Sequence, residues 1–104
     1  MDKMYDVVIV GAGTAGSYAA YLMAKQGLSV ALVERKKAEE VFKVTGDAIG
    51  KHHIDELTKS GLSISSDVFM IRYEGAELYS PDLSIKYFVA GEGYGLDIGK
   101  WAQW

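Results

Sequence analysis

Tyr5-Asp6-Val7-Val8-Ile9-Val10-Gly11-Ala12-Gly13-Thr14-Ala15-Gly16 is the stretch that decides the fold. Residues 5–10 form a nearly continuous β-branched apolar run without alternation, the pattern of a strand covered on both faces, as in a parallel sheet. From Thr14 to Gln26 the pattern becomes helical, with Ala15, Ala19, Leu22 and Met23 on one face. Gly27 stands where a C-terminal cap glycine belongs. Ser29 to Val33 reads as a second apolar strand, closed by Glu34. Strand, helix and strand in this short a span make one right-handed βαβ unit.

The three glycines between the first strand and the helix form a G-x-G-x-x-G motif, and each has a separate physical task. Gly11 makes the tight turn out of the strand. Gly13 has no side chain, so a pyrophosphate can approach the backbone. Gly16, with Ala20 one turn later, lets the helix lie close against the strand. The free N–H groups and positive end of a helix starting near Thr14 suit an anion. A carboxylate at Glu34 can accept hydrogen bonds from both ribose hydroxyls of an adenosine. It would also repel a 2′-phosphate, which disfavours NADP, although Arg35, Lys36 and Lys37 soften that argument. The bland alternative is a glycine-rich turn in an ordinary α/β domain with a fortuitous acidic residue. It is disfavoured because strand, glycines, helix and acid are all in register. The motif specifies a dinucleotide and does not separate NAD from FAD, which share the ADP moiety.

The bulk properties narrow the classes further. A chain of 104 residues has the size of one small domain. Hydrophobic residues make up 49%, which is enough for a packed core. Net charge is −3, from 11 basic and 14 acidic residues spread along the chain without a basic stripe, so no nucleic-acid partner is expected. Cysteine is absent, which excludes disulfides, thiolate catalysis and Cys-based metal sites. No stretch approaches the ~18 apolar residues of a membrane span, and the first strand is interrupted too early for a signal peptide. The expectation is a cytoplasmic protein whose composition is compatible with peripheral membrane association.

Beyond Glu34, residues 35–47 read as an irregular charged connection. Ala48 to Lys59 reads as a second helix, with Asp47 as its N-cap and Gly61 as its terminator. The period then changes to two. Val68–Glu74, Ala76–Ser80 and Leu83–Ala90 read as strands, broken at Glu74-Gly75 and Ser80-Pro81-Asp82, and Gly91–Gly95 reads as a turn or bend. Asp97 can cap a last helix from Ile98 to Trp104. The resulting division is 1–60, a βαβ unit plus a helix, and 61–104, a β-rich extension with the start of a helix that looks cut short.

The glycine motif, Glu34-Arg35, the run Thr45-Gly46-Asp47-Ala48-Ile49-Gly50-Lys51-His52-His53 and Leu78-Tyr79-Ser80-Pro81-Asp82 together resemble the start of the archaeal geranylgeranyl reductases. These are FAD-dependent flavoproteins of the p-hydroxybenzoate hydroxylase fold group, which saturate isoprenoid double bonds of membrane lipid precursors. The resemblance covers essentially all 104 residues but only about the first quarter of such a protein. It implies FAD as cofactor and an isoprenoid lipid as substrate of the full-length enzyme. By position, Gly11, Gly13, Ala15 and Gly16 should face the pyrophosphate, Glu34 the ribose and Arg35 the adenine. Thr45, Gly46 and Ala48 should line the path towards the flavin. The family often has Cys where this chain has Thr45, so any role of that thiol is lost. Its later Gly-Asp motif lies beyond residue 104. An incomplete FAD/NAD(P)-binding domain follows, with unpaired sheet edges open to self-association, and the 104 residues alone are expected to be inactive. The alternatives are another flavin-dependent oxidoreductase or monooxygenase, and a truncated nucleotide-binding fragment without catalysis.

No catalytic residue and no metal site are assigned. His52 and His53 are adjacent and point about 100° apart on a helix, so they do not form a chelating pair. The aromatic residues from Phe69 to Phe88 read as sheet core rather than as a lipid-lined pocket. Trp101 and Trp104 read as packing residues. Ser17 has no partnered His or Asp at diagnostic spacing, so nucleophilic catalysis has no support.

Overall fold

The computed structural model describes residues 3–40 and 46–104. They fall into two compact units, one with the first strands and helix, the other starting at residue 46 among the described residues. In the first unit, strands β1 (Val7–Val10) and β2 (Val30–Val33) flank helix α1 (Thr14–Lys25). The strands are parallel and in register from Val7 opposite Val30 to Val10 opposite Val33. Both ends of the pair are fixed. At the start, the Asp6 carboxylate accepts from the Ser29 N–H at 2.8 Å and from its hydroxyl at 3.0 Å, while Ser29 Oγ accepts from the Asp6 N–H at 2.9 Å. These bonds hold the Asp6 carboxyl below its ordinary pKa, the backbone bond contributing most. At the far end the Gly11 N–H donates to the Val33 carbonyl at 2.7 Å.

The expected βαβ unit is therefore present, and Gly27 ends α1 as the sequence predicts. Gly27 adopts φ +88, its N–H bonds the Ala24 carbonyl at 3.0 Å and the Leu28 N–H bonds the Met23 carbonyl at 3.2 Å. This is the paired 5→2 and 6→1 arrangement that closes the last carbonyls of a helix. The covering of β1 differs from expectation. Val7 and Ile9 are half-buried, but Val8 is 58% and Val10 85% exposed. A βαβ unit with one helix covers one face of its sheet, and Ile9 lies on the face that meets α1.

The second unit is a three-stranded antiparallel sheet, ordered β3-β5-β4, with β3 (Gly46–Gly50), β4 (Phe69–Tyr79) and β5 (Lys86–Asp97). Helices α2 (Lys51–Lys59) and α3 (Ile98–Gln103) complete it. The structure corrects four expectations. Gly46–Gly50 is a strand, so the helix starts at Lys51 with Gly50, not Asp47, at its N-cap. Pairing of Gly46 with Asp97 through Gly50 with Gly93 supplies β3 with ladder bonds that local sequence does not reveal. The same pairing makes Gly91–Gly95 the middle of β5 rather than a turn. The break at Glu74-Gly75 is a shift of register inside the single strand β4. Phe88 occupies the space where a Cβ on Gly75 would stand, so the glycine makes room for a ring across the strand. Because β3 pairs with β5, the division between units precedes β3 instead of following residue 60.

Gly61, with φ +96, ends α2 in the same manner as Gly27 ends α1. The Asp97 carboxylate caps α3, accepting from the Lys100 N–H at 3.1 Å. Among the described residues the buried apolar side chains are Val68 and Leu96, and Val68 is fully buried. The rings of Phe69 and Tyr94 pack against each other at a tilt of 52°, with centroids 5.0 Å apart. The outer part of the β4–β5 hairpin is not core, contrary to the reading of its aromatics: Tyr87 is 68% and Phe88 62% exposed. Trp101 is half-buried, while Trp104 is exposed and donates from Nε1 to the Ser63 carbonyl at 3.1 Å.

The hairpin turn is organised by Asp82. Its Oδ1 accepts from Ser80 Oγ at 2.7 Å, Ser84 Oγ at 2.8 Å and the Ser84 N–H at 3.1 Å. The Ser80 bond leads in lowering the Asp82 pKa to about 2. A carboxyl with a depressed folded pKa stabilises above its unfolded value and loses that contribution as the pH falls through the folded value. The turn should thus be unchanged from neutral pH to about 4 and should loosen between about 4 and about 2. NMR of the Ser84 amide across that range should show the step in the native chain and none in Asp82→Asn.

A second test concerns the contact between α1 and β1. A Cβ at residue 16 would overlap the Gly11 carbonyl oxygen and stand 3.4 Å from Ile9 Cγ2. Gly16→Ala should destabilise the first unit by on the order of 3 kcal/mol. A Cβ at residue 13 meets nothing within 4 Å, and Gly13 has φ −75. Gly13→Ala should leave the denaturation midpoint within error of the native chain.

Candidate functional site

The loop between β1 and α1 gathers most of the residues singled out in the first unit. Gly11 takes φ +103, a conformation that only glycine adopts without strain, and turns the chain out of β1. Gly13 is the N-cap of α1 and, lacking a side chain, offers the helix no side-chain acceptor. The space a side chain at Gly13 would fill is open. The first turn carries no acidic residue, so nothing there opposes the positive end of the helix dipole. Ala15 is exposed in that first turn instead of packing with Ala19, Leu22 and Met23, which are half-buried. The result is an uncovered backbone platform at a helix start, which suits the close approach of a phosphate.

Glu34 leaves the end of β2 and returns to this loop. Its Oε2 accepts from the Ala12 N–H at 2.8 Å, and its Oε1 accepts from the Lys36 N–H at 3.2 Å. These backbone bonds, that of Ala12 first, hold the Glu34 carboxyl below its ordinary pKa. The group is therefore a carboxylate at neutral pH, half-buried beside the glycines, with lone pairs left to accept from hydroxyls. Arg35 follows it and is exposed. The structure thus brings Gly11, Gly13, Gly16 and Glu34 into one constellation, with Ala15 and Arg35 on its exposed margin.

The remaining candidates lie elsewhere. Thr45 is outside the described residues. Gly46 and Ala48 sit on β3 in the second unit, opposite Asp97 and Gly95, and Ala48 is exposed. Gly46, Ala48 and Gly50 of β3 pair with Asp97, Gly95 and Gly93 of β5, and the Ile71 and Tyr73 side chains of β4 occupy the space beside Gly95. His52 folds back over Gly50, and its ring lies 3.8 Å from that of His53, centroid to centroid. Among the described residues no three His, Asp or Glu side chains converge as a metal site would require. No helix among the described residues is long and apolar enough to cross a membrane.

One side chain at the loop was not visible as functional from sequence. Ser17 Oγ donates to the Ala12 carbonyl at 3.1 Å. Its place on the fifth residue after Ala12 is the available signal, since a side chain in the first turns of a helix points back towards the N-terminus. The Asp6–Ser29 bracket joins residues far apart in sequence, and no local pattern marks it.

The loop and its fold have clear relatives. A family model described as FAD dependent oxidoreductase matches residues 6–87. The chain is 39% identical to the digeranylgeranylglycerophospholipid reductase of Sulfolobus acidocaldarius, covering 92% of this chain and 21% of that protein. It is 32% identical to digeranylgeranylglycerophospholipid reductase 2 of Methanopyrus kandleri, covering 96% of this chain and 24% of the relative. Among solved structures, a geranylgeranyl bacteriochlorophyll reductase-like protein from Thermoplasma acidophilum superposes with a TM-score of 0.76. It shows 25% identity, over 95% of this chain and 26% of the other. The chain spans about a fifth to a quarter of the length of these relatives. The match over most of its length shows that the chain belongs to the FAD dependent oxidoreductase family.

Proposed function

We propose that these residues are the N-terminal part of an FAD-binding domain in an oxidoreductase of the geranylgeranyl reductase kind. The observation that carries this reading is the loop itself: open space at Gly13, at an uncapped helix start, with the Glu34 carboxylate held beside it. In this reading Gly11, Gly13, Ala15 and Gly16 surround the pyrophosphate of FAD, Glu34 accepts from the adenosine ribose and Arg35 flanks the adenine. Thr45, Gly46 and Ala48 lie along the path to the flavin.

Reduced FAD supplies a hydride, and in the whole protein the acceptor is an isoprenoid double bond of a membrane lipid precursor. The residues of this chain bind and orient. The first-turn N–H groups of α1 offset pyrophosphate charge, and Glu34 selects a ribose with a free 2′-hydroxyl by repelling a 2′-phosphate. The substrate class is supported by the similarity to reductases of geranylgeranyl lipids. A lipid substrate also suits a cytoplasmic protein that associates peripherally with membranes. The exposed valines of β1 and the unpaired edges of its two-stranded sheet suit association with further strands, in the same polypeptide or another copy.

The reading is tested with ADP, the part of the cofactor that the first unit would hold. ADP should bind the native chain and should be preferred over 2′,5′-ADP. Glu34→Ala should weaken ADP by about tenfold or more, the loss of a charge-assisted hydrogen bond, and should narrow that preference. Gly13→Ala should keep its fold and lose ADP, because its methyl fills the phosphate approach. Calorimetric titration measures all three, and unchanged ADP affinity in both variants would contradict the assignment.

A further inference from the structure

The Ala12 peptide is held from both sides by side chains that come from different elements. Its N–H donates to Glu34 Oε2 at 2.8 Å, from the end of β2, and its carbonyl accepts from Ser17 Oγ at 3.1 Å, from the second turn of α1. The neighbouring bonds are backbone ones: Gly11 N–H to Val33 carbonyl at 2.7 Å, and Ser17 N–H to Gly13 carbonyl at 2.9 Å. Ala12 is the residue between the two glycines that lack steric restraint, so without these partners its flanking peptide planes would be the least constrained part of the loop.

We infer that Ser17 and Glu34 form a clamp that sets the glycine loop in its binding conformation before any ligand arrives, with Ser17 as a positioning residue. The geometry works through planarity. A trans peptide directs its N–H opposite to its carbonyl, so fixing the Ala12 carbonyl on Ser17 also fixes the direction of the Gly13 N–H. Glu34 fixes the preceding plane, between Gly11 and Ala12, in the same way. The Gly13 N–H belongs to the residue whose missing side chain leaves the open approach to the loop. A loop already set in this way binds without the entropic cost of ordering two glycine-flanked peptides. Glu34 therefore has a structural duty in the free protein as well as the ribose contact proposed for it, and Ser17, with no nucleophilic partner, has a role that needs none.

This inference rests on the dinucleotide reading for its purpose, and the test separates the two. Amide exchange at Ala12 is followed by NMR in the ligand-free native chain, in Ser17→Ala and in Ser17→Thr, which keeps the hydroxyl. ADP titration and thermal melting follow on the same samples. The clamp predicts severalfold faster Ala12 exchange in Ser17→Ala and near-native exchange in Ser17→Thr. It also predicts ADP affinity about fivefold weaker in Ser17→Ala, restored in Ser17→Thr, with little change of melting temperature. Native Ala12 exchange in Ser17→Ala overturns the clamp. Faster exchange with unchanged ADP affinity overturns the positioning role and leaves only a local brace. Failure of the native chain itself to bind ADP contradicts the proposed function, while the exchange rates still decide the clamp.

Discussion

The contact between Gly16 of α1 and the Gly11 carbonyl at the end of β1 is the constraint on which the first unit depends. It sets how closely the helix can lie against the strand, and no side chain fits between them. Once α1 is placed, its first turn points at the loop, Glu34 at the end of the neighbouring strand reaches the Ala12 N–H, and Ser17 reaches the Ala12 carbonyl. Packing in this unit and the geometry of the candidate site are the same fact at two scales. Gly11 is required by its backbone angle and Gly16 by close approach; Gly13 is required by neither, and the proposed function gives it the role of leaving room for a ligand.

The division of labour between backbone and side chains follows from this. The loop presents N–H groups and a helix end, whose charge is partial and fixed, and the main full charge beside it is the Glu34 carboxylate. Backbone donors, the Ala12 N–H first, favour the ionised form of that carboxylate, and in the proposed function its charge disfavours a phosphorylated ribose. Asp6 and Asp82 use the same chemistry for structure, one bracketing the start of β1 and β2 and the other closing the β4–β5 turn.

The first unit was largely legible in the sequence because its signals are local. An apolar β-branched run, glycines at fixed spacing, a helical period and a terminal Gly27 each depend on neighbours within a few residues. The second unit was less so. β3 contains two glycines, an alanine and an aspartate among its five residues, which carry little intrinsic strand preference. It is a strand because β5 pairs with it, and that partner lies more than forty residues away in sequence. Gly91–Gly95 misleads for the reciprocal reason: a glycine-rich stretch has turn chemistry alone but becomes strand when flanked on both edges. At the site, the glycines and Glu34 follow from spacing, whereas the double hold on Ala12 exists only once β2, the loop and α1 are assembled.

In the proposed function the glycine loop and Glu34 receive the ADP half of FAD. Titration of FAD into isotope-labelled protein, followed by amide NMR, tests it most directly. The largest shift changes should fall on Gly11 to Ser17 and on Glu34 and Arg35, and ADP alone should reproduce those changes. Changes confined to other residues, or an FAD response that ADP does not reproduce at the loop, would contradict it.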